Sequence, residues 1–375
     1  MALELTREQI EAGWTVQKLG DFCRSVDYGF TASATEEETG CKFLRITDIK
    51  TGYCDDTSVP NVKVTESEKI KYLLKPGDIV VARTGATTGV SAWLKNPEDM
   101  VFASYLVRFS VAPEHNSRFI SYLLKTKIFK EYIHSVVSEK SAQPNASATT
   151  IALAELPIPP LDEQNRIAKI LGSLDDKIEA NNDLLNSLDG LGNALILQKI
   201  NDVSETCQLS EVAEIVMGQS PAGAALNEDS EGLIFYQGRR DFGFRYPTPR
   251  VFTSAPTRVA EPGDILLSVR APVGDLNRTD EECCVGRGVA AIRAKNGNTA
   301  QLFYLLRNIP SLWSPYEGEG TVFSSINRKQ VQNLQIPVVD NFEEFEDIEK
   351  SILSLTQENL ALSETRDLLI RKIIG

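Results

Sequence analysis

The chain has 375 residues, of which 42% are hydrophobic, 24% charged and 7% aromatic, and its formal net charge is −13. This length suggests two or three domains, and the composition excludes a disordered, collagen-like or disulfide-dense protein. No apolar run approaches the ~18 residues that a membrane helix requires, and the start shows no signal peptide, so we expect a cytoplasmic protein.

The chain offers few groups for catalysis or metal binding. Six cysteines are scattered without a C-x-x-C pair, and the only histidines are His115 and His134. Structural zinc sites need paired ligands at short spacing, and nucleophilic triads need a base positioned beside a nucleophile. We therefore predict reduced cysteines, no metal site and no catalytic residues in this chain.

The negative charge is concentrated in two short segments. Residues 161–205 and 342–375 have net charges of −5 and −4, whereas residues 1–160 and 206–341 each have a net charge of −2. A nearly neutral domain can still carry a basic face. The acidity of the whole chain therefore does not exclude nucleic acid binding by the two long segments.

In chain order, residues 1–160 are predicted to form a mixed α/β unit. The sequence Lys75-Pro-Gly-Asp-Ile-Val-Val places a turn before a β-branched strand. Residues 119–125 have the pattern of a short amphipathic helix. The unit ends at a proline-rich hinge, Leu156-Pro-Ile-Pro-Pro-Leu.

Residues 161–202 are predicted to form one long helix. Apolar residues recur in steps of four and three, which is the heptad pattern of a coiled-coil seam. Asn181 occupies one seam position, where a buried asparagine usually fixes register. The residues predicted to pair this helix with a partner are Ile167, Leu171, Leu174, Ile178, Asn181, Leu185 and Leu188.

Residues 203–341 repeat the first unit. Glu261-Pro-Gly-Asp-Ile-Leu-Leu matches the first Pro-Gly-Asp strand, residues 302–307 match the short helix, and Gln335-Ile-Pro-Val-Val matches the hinge. Because the matches occur in the same order, we infer an internal duplication.

Residues 342–375 are predicted to form a second heptad helix. Its pairing residues are Ile348, Ile352, Leu355, Asn359, Leu362 and Leu369. One alternative is that each long helix packs alone on a domain surface. Two helices of matched length with asparagine in their seams favour an antiparallel coiled coil, with the two units related by a pseudo-twofold axis. Such a pair would hold two similar binding units at a fixed separation, which suits DNA sites about one helical turn apart.

Several motifs together resemble one protein family. They are Trp14-Thr-Val-Gln-Lys-Leu-Gly-Asp-Phe, Lys75-Pro-Gly-Asp-Ile, Ser141-Ala-Gln-Pro-Asn-Ala-Ser, Leu156-Pro-Ile-Pro-Pro-Leu-Asp-Glu-Gln-Asn-Arg-Ile, Leu174-Asp-Asp-Lys-Ile-Glu-Ala-Asn-Asn, Val285-Gly-Arg-Gly-Val-Ala-Ala-Ile-Arg and Ile336-Pro-Val-Val. With them, the chain resembles the specificity subunit of type I restriction–modification enzymes over nearly its whole length. The second copy departs from the pattern, because its hinge lacks the second proline and the Glu-Gln pair.

The resemblance implies an α+β fold and a set of partners. Two tandem mixed α/β target-recognition domains, residues 1–160 and 203–341, would be separated by the helices 161–202 and 342–375, which pair as an antiparallel coiled coil. Such a subunit is not catalytic and recognises a bipartite site in double-stranded DNA, as part of defence against foreign DNA. The implied partners are two modification subunits, which use S-adenosylmethionine, and restriction subunits, which use ATP with Mg²⁺. No cofactor is expected in this chain.

The sequence also bears on two other functions. A coiled-coil scaffold that joins protein partners without reading DNA is the alternative, and it would show no salt-dependent retention on DNA. An adenine methyltransferase is disfavoured because the only Pro-Pro pair lies between Ile158 and Leu161. The glycines of residues 83–89 also lack the Gly-Lys-Ser/Thr ending of a phosphate-binding loop.

Candidate DNA contacts occur at equivalent places in the two copies. Bases are read by side chains with hydrogen-bond donors and acceptors, and phosphates by Lys, Arg and small hydroxyl residues. The candidates in the first copy are Lys42, Arg45, Thr47, Arg83, Thr84, Thr87, Thr88, Ser141, Gln143 and Asn145. Those in the second copy are Gln237, Arg239, Arg240, Arg245, Arg270, Arg287, Thr321 and Ser324. Each alone could be a solvated surface residue, and the grouping is what favours DNA binding.

Arginine is used unevenly in the two copies. It provides 6 of the 18 basic residues of residues 1–160 but 11 of the 13 in residues 206–341. Arginine reads guanine with two hydrogen bonds, which lysine does less well. Compositional drift is one interpretation, and the hypothesis is that the second half-site contains more G·C pairs. The acidic helices are expected to stand away from DNA phosphates and to serve partner subunits, or only to stay soluble.

Overall fold

The structure is a computed structural model that describes residues 3–50, 53–54, 59–137, 144–201, 203–316 and 325–375. The chain forms two compact units. Unit 1 contains Met1–Glu179 and Leu360–Gly375, and unit 2 contains Ala180–Asn359. No helix in these described ranges is long and apolar enough to cross a membrane.

Unit 1 is a mixed α/β unit. Its helices are α1 (Arg7–Glu11), α2 (Glu66–Tyr72), α3 (Ser117–Leu123), α4 (Lys127–Val136), α5 (Ala148–Ala152), the first part of α6 (Leu161–Ile200) and the last part of the C-terminal helix, from Leu360 onward. Its strands are β1 (Thr15–Lys18), β2 (Cys23–Tyr28), β3 (Lys42–Leu44), β4 (Ile49–Lys50), β5 (Tyr53–Cys54), β6 (Ile79–Ala82), β7 (Ser91–Trp93), β8 (Met100–Phe102), β9 (Leu106–Val111) and β10 (Glu155–Ile158). An antiparallel sheet in the order β2-β9-β6-β7 forms its centre, while β3 pairs with β8 in parallel and β1 pairs with β10.

The predicted Pro-Gly-Asp turn leads into β6. The Asp78 N–H donates to the Lys75 carbonyl at 3.0 Å, and Gly77 has φ +88°, as the third residue of a type II turn requires. The Asp78 carboxylate accepts a hydrogen bond from the Lys75 N–H at 2.9 Å. The turn is therefore fixed by its own residues, and β6 follows it as a fully buried strand.

Unit 2 contains the second copy. Its helices are the second part of α6, α7 (Leu209–Val212), α8 (Thr299–Arg307), α9 (Arg328–Gln332) and the first part of α10 (Glu344–Ile373). Its strands are β11 (Thr206–Gln208), β12 (Ala213–Met217), β13 (Leu226–Asn227), β14 (Leu233–Tyr236), β15 (Phe252–Thr253), β16 (Val259–Ala260), β17 (Ile265–Ser268), β18 (Leu276–Arg278), β19 (Cys283–Val285), β20 (Val289–Ala294) and β21 (Gln335–Pro337).

The topology of unit 2 repeats that of unit 1. The central antiparallel sheet has the order β12-β20-β17-β18, β14 pairs with β19 in parallel, and β11 pairs with β21. The turn before β17 is also the same, since the Asp264 N–H donates to the Glu261 carbonyl at 3.1 Å and Gly263 has φ +89°. The predicted duplication is confirmed.

The long helices complete the core of each unit. In unit 1, Ile167 and Leu171 of α6 and Ile370 of α10 are buried in the same cluster as Phe109 and Phe119. In unit 2, Leu185 of α6 and Ile352 of α10 are buried with Ile265, Phe303 and Tyr304. Each helix therefore contributes apolar residues to the core of both units.

Within each unit, the two long helices pair in opposite directions. In unit 1, Arg366 of α10 donates to Asp175 of α6 at 2.8 Å. In unit 2, later residues of α6 meet earlier residues of α10, as in the bond from Asn181 to Asn359. The predicted antiparallel arrangement is confirmed, and every residue predicted to pair the helices is buried or half-buried.

A layer of asparagines lies in the seam of unit 2. The Asn181 Nδ2 group donates to Glu358 at 2.7 Å and to the Asn359 Oδ1 atom at 2.9 Å, and the Asn359 Nδ2 group donates to Asn182 at 2.9 Å. Asn181 is buried. Because these bonds form in only one alignment of the two helices, the layer selects that register.

Replacing Asn181 by alanine is expected to lower the free energy of unfolding by about 1–3 kcal/mol. The substitution removes the donor that satisfies Asn359 in a layer shielded from water. Urea denaturation would measure the loss, with Asn186→Ala, an exposed site on the same helix, as the matched control. Equal stability of the two variants would show that the layer does not hold the pair together.

Candidate nucleic-acid interface

Backbone hydrogen bonds bring four segments of unit 1 side by side. The Ala103 N–H donates to the Leu44 carbonyl at 2.9 Å, the Arg83 N–H donates to the Tyr105 carbonyl at 3.0 Å, and the Ala146 N–H donates to the Arg83 carbonyl at 2.9 Å. We define the recognition face of unit 1 as residues 42–47, 83–88, 103–105 and 144–146. The candidate groups that are separate in sequence thus meet on one face.

Unit 2 has the same arrangement. The Gly286 N–H donates to the Tyr236 carbonyl at 2.9 Å, the Val269 N–H donates to the Gly288 carbonyl at 2.9 Å, and the Ile326 N–H donates to the Val269 carbonyl at 3.1 Å. We define the recognition face of unit 2 as residues 236–240, 269–275, 286–288 and 325–326. The two faces are built from the ends of equivalent strands.

Arg83 is the central cation of the unit 1 face. Its guanidinium carbon lies 5.0 Å from the centre of the Tyr28 ring, which orients the side chain by a cation–π contact. Its Nε atom is buried and has no hydrogen-bond partner among the described residues. Thr84 forms a β-bridge with Asn145, and both Asn145 and Thr87 are at least partly open to solvent. These side chains supply donors and acceptors next to one fixed cation.

The other unit 1 candidates are more restrained. Arg45 donates from Nε and Nη2 to the Asp48 carboxylate at 2.9 and 2.8 Å, and these hydrogen bonds raise the pKa of Arg45. Thr47 is exposed, Lys42 is half-buried, and the Thr88 hydroxyl donates to the Gly85 carbonyl at 2.7 Å. Arg45 is therefore held in place with its charge partly neutralised, and Thr88 stabilises its own loop.

The unit 2 face carries more exposed arginine. Arg240, Arg270 and Arg287 are exposed, as is Gln237, and no described acidic residue forms an ion pair with any of the three arginines. Arg239 is also exposed and pairs with Asp275 at the edge of the same face. The positive charge available to a ligand is therefore greater here than on the face of unit 1.

Arg245 does not belong to this face, and its prediction as a DNA contact was wrong. Its side chain is 1% exposed and pairs with Asp189 and Glu349 inside unit 2. The chain turns inward at this point because the Gly243 N–H donates to the Asn277 side chain at 3.0 Å, and that side chain donates back to the Gly243 carbonyl at 3.0 Å. A guanidinium buried in this way cannot reach a duplex.

Four candidates lie outside the described residues, namely Ser141, Gln143, Thr321 and Ser324. The residues that follow them are described, and Asn145 and Ser325 each form a bridge to the recognition face of their own unit, to Thr84 and Arg270. Ser141 and Gln143 therefore precede a segment that is part of the unit 1 face, and Thr321 and Ser324 precede the equivalent segment of unit 2.

The sequence interpretation missed two tyrosines. Tyr105 is 59% exposed and lies between the segments 42–47 and 83–88. Tyr28, at the end of β2, is also exposed and contacts Arg83. The available signal was an aromatic residue at a strand end beside glycine or serine, which is equally typical of a core residue.

The described side chains of both faces offer groups suited to binding. In the described residues, no group of three or more His, Cys, Asp and Glu side chains is arranged to hold a metal ion. What the faces share is arginine that is at least partly exposed, with amide and hydroxyl groups, which can bind phosphates and base edges.

Comparison with known proteins identifies related chains. The family model of the type I restriction modification DNA specificity domain matches twice, over residues 11–189 and 201–367. A protein of Methanocaldococcus jannaschii assigned as the MjaX type I restriction enzyme specificity subunit is 30% identical over 360 residues, which cover 88% of this chain and 84% of the relative. The EcoKI specificity subunit of Escherichia coli is 21% identical over 209 residues, 53% of this chain and 45% of the relative. The crystal structure of a type I S subunit from M. genitalium, with 15% identity, covers 100% of this chain and 98% of that chain with a TM-score of 0.59, a likeness in fold.

Proposed function

The chain belongs to the type I restriction–modification DNA specificity family, and from this premise we propose that its two units each read one half of a bipartite DNA site. It is the DNA-recognition subunit, and no step of catalysis is assigned to its residues. The observation that carries the proposal is the repeated recognition face, in which equivalent backbone hydrogen bonds join equivalent segments. Two faces with the same backbone and different side chains suit two half-sites of different sequence.

The partners follow from the family. The chain assembles with other subunits of the restriction–modification enzyme. We propose that two modification subunits take methyl groups from S-adenosylmethionine and that restriction subunits use ATP with Mg²⁺. These cofactors would belong to the partner subunits and not to this chain.

The long helices have two roles in the proposal. They set the length of the spacer between the half-sites, and their outer surfaces bind the modification subunits. Residues 161–205 and 342–375 carry net charges of −5 and −4, and phosphates repel such a surface. The helices are therefore expected to lie away from the DNA backbone.

Long-read mapping of modified adenines, in cells with and without this gene, tests the function. We expect one bipartite motif to be modified in the first strain and to lose its modification in the second. The second half-site is expected to contain more G·C pairs, because unit 2 presents Arg240, Arg270 and Arg287 without ion-pair partners among the described residues. A motif that persists after deletion would refute the function, and a second half of A·T pairs only would refute the arginine hypothesis.

Replacing Arg83 by alanine is expected to weaken binding of the assembled enzyme to its mapped site by about 10- to 100-fold. One well-placed arginine is worth about 1–3 kcal/mol in base discrimination, and the stacking on Tyr28 fixes this one on the unit 1 face. Fluorescence anisotropy on labelled duplexes measures the change. Lys127→Ala, a similar charge loss at an exposed position of α4, is the control, and equal affinities for both variants would exclude Arg83 from the interface.

A further inference from the structure

Four buried charges meet inside unit 2. The Arg245 Nη2 group donates to Asp189 of α6 and also to the Tyr304 hydroxyl at 3.1 Å. The Arg245 Nε atom lies 3.4 Å from the Glu349 carboxylate of α10, and Arg278 of β18 donates to the same carboxylate at 3.0 Å. The network therefore joins Arg245 and Arg278, which lie outside the long helices, to both α6 and α10.

The arginine is enclosed by aromatic rings. Its guanidinium carbon lies 4.5 Å from the centre of the Phe303 ring and 5.0 Å from that of the Tyr304 ring. Burial raises the pKa of Tyr304, so its hydroxyl remains protonated and can accept the hydrogen bond from Arg245. This packing fixes the direction in which the side chain leaves its loop.

The network is poorly suited to adding net stability. The Arg245 Nε and Nη1 atoms and the Glu349 Oε1 atom are buried without a hydrogen-bond partner among the described residues. Buried ion pairs often fail to recover the cost of removing water from the charges, and their best-documented use is to fix one arrangement of the chain. The network therefore matters for the segment of chain that it holds in place.

The network holds the segment that carries the exposed arginines. Arg239–Asp241 forms a short 3-10 turn on the recognition face, and Arg245 follows a few residues later. The Arg278 N–H donates to the Arg245 carbonyl at 2.8 Å, and the Asn277 side chain bonds to Gly243. The residues that connect the Arg239–Asp241 turn to Arg245 are therefore themselves held by hydrogen bonds.

We propose that Arg245 is a positioning residue, which sets the place of the Arg239–Asp241 turn against DNA through Asp189 of α6 and Glu349 of α10. Recognition of the second half-site then depends on the helix pair as well as on the recognition face. This inference rests on the proposed function. In unit 1 the equivalent short 3-10 turn, Ile46–Asp48, is held by Arg45 at its own start, which donates to Asp48, so the dependence is expected for the second half-site only.

The double variant Arg245→Met, Asp189→Asn tests this in the enzyme assembled with its modification subunits. It removes one positive and one negative charge together and leaves the Arg278–Glu349 pair intact. Dissociation constants would be measured at one salt concentration for four duplexes made from the mapped site: the intact site, each half-site scrambled in turn, and the spacer lengthened by one base pair. Asp189→Asn alone, which is isosteric and keeps Arg245, provides a second variant.

We expect discrimination against the scrambled second half-site to fall about tenfold, with the longer spacer better tolerated and discrimination at the first half-site unchanged. A purely structural defect would reduce active protein and affect all duplexes alike, and circular dichroism would report it. The control Lys95→Met, Asp176→Asn removes the half-exposed Lys95–Asp176 ion pair inside unit 1, together with the Asp176–Arg118 pair, and should change neither ratio. Unchanged second half-site discrimination in both network variants would overturn the inference. A wild-type enzyme that does not discriminate at all would instead overturn the proposed function.

Discussion

Replacing Arg245 by methionine alone is expected to destabilise unit 2 by about 3 kcal/mol or more. We expect no larger loss of stability from replacing any other arginine that the sequence suggests to be exposed. Removing one member of a buried ion network leaves its partners uncompensated, at a cost of about 3–5 kcal/mol. Asp189 keeps Arg307 at 2.5 Å and Glu349 keeps Arg278 at 3.0 Å, which places the expected loss near the lower limit. Denaturation in urea, followed by circular dichroism, measures it.

The double variant Arg245→Met, Asp189→Asn should recover most of this loss. Methionine fills a site already lined by Phe303 and Tyr304, and the neutral asparagine no longer requires a buried cation. Arg258→Met, at an exposed position, is the control and should change stability by no more than about 0.5 kcal/mol. The network would be excluded as the cause if the single variant matched this control, or if the double variant were no more stable than the single one.

The parts of the fold that were predicted correctly are those determined by residues close together in the sequence. The Pro-Gly-Asp turns are closed by bonds between residues three apart, so the sequence of four residues is enough to identify them. Apolar residues recur every three or four positions along the seam of α6. Because the helix geometry is regular, this spacing also shows that Asn181 lies in the seam. The duplication is likewise visible because each copy keeps these signals in the same order.

Arg245 shows what local signals cannot resolve. It lies in the same stretch as Arg239 and Arg240, which are exposed, and nothing in its neighbours distinguishes it from them. Its burial depends on Asp189, which is 56 residues away in sequence, and on Glu349 in the other helix. Both acids lie beside seam residues, Leu188 and Ile348, but on an acidic helix such positions are usually solvated. Only the packing of the helices in unit 2 makes them partners of an arginine.

The segments of the recognition faces could be predicted from the sequence, but their arrangement could not, because it also depends on contacts between distant residues. Arginines, threonines and amides after a strand indicated the candidate segments, but the order in which backbone bonds join them is a property of the sheet. Tyr28 and Tyr105 were missed because a tyrosine at a strand end is equally typical of a core residue. In the structure both are exposed, and an exposed aromatic ring beside arginine is a surface on which planar groups can stack.

The largest functional effect is expected from lengthening both long helices by one heptad. Seven residues would be inserted into α6 after residue 186 and seven into α10 before residue 355, on the same side of the Asn181–Asn359 bond. Seven residues make two turns of a coiled coil, so each seam keeps its face and the asparagine layer keeps its register. Both units should still fold, whereas insertion into α6 alone should misalign the seams and lower stability.

Each inserted heptad adds about 10.5 Å at 1.5 Å per residue, which corresponds to about three base pairs at 3.4 Å each. Three base pairs also rotate the second half-site by about 100°, and the protein cannot follow that rotation freely. We therefore expect a preferred spacer longer by about one to three base pairs, with weaker binding and unchanged half-site sequences. Selection from a duplex library with variable spacers measures the preference. If the lengthened protein selected the original spacer, the helices would not set the spacing, because their length would have changed without consequence for the site.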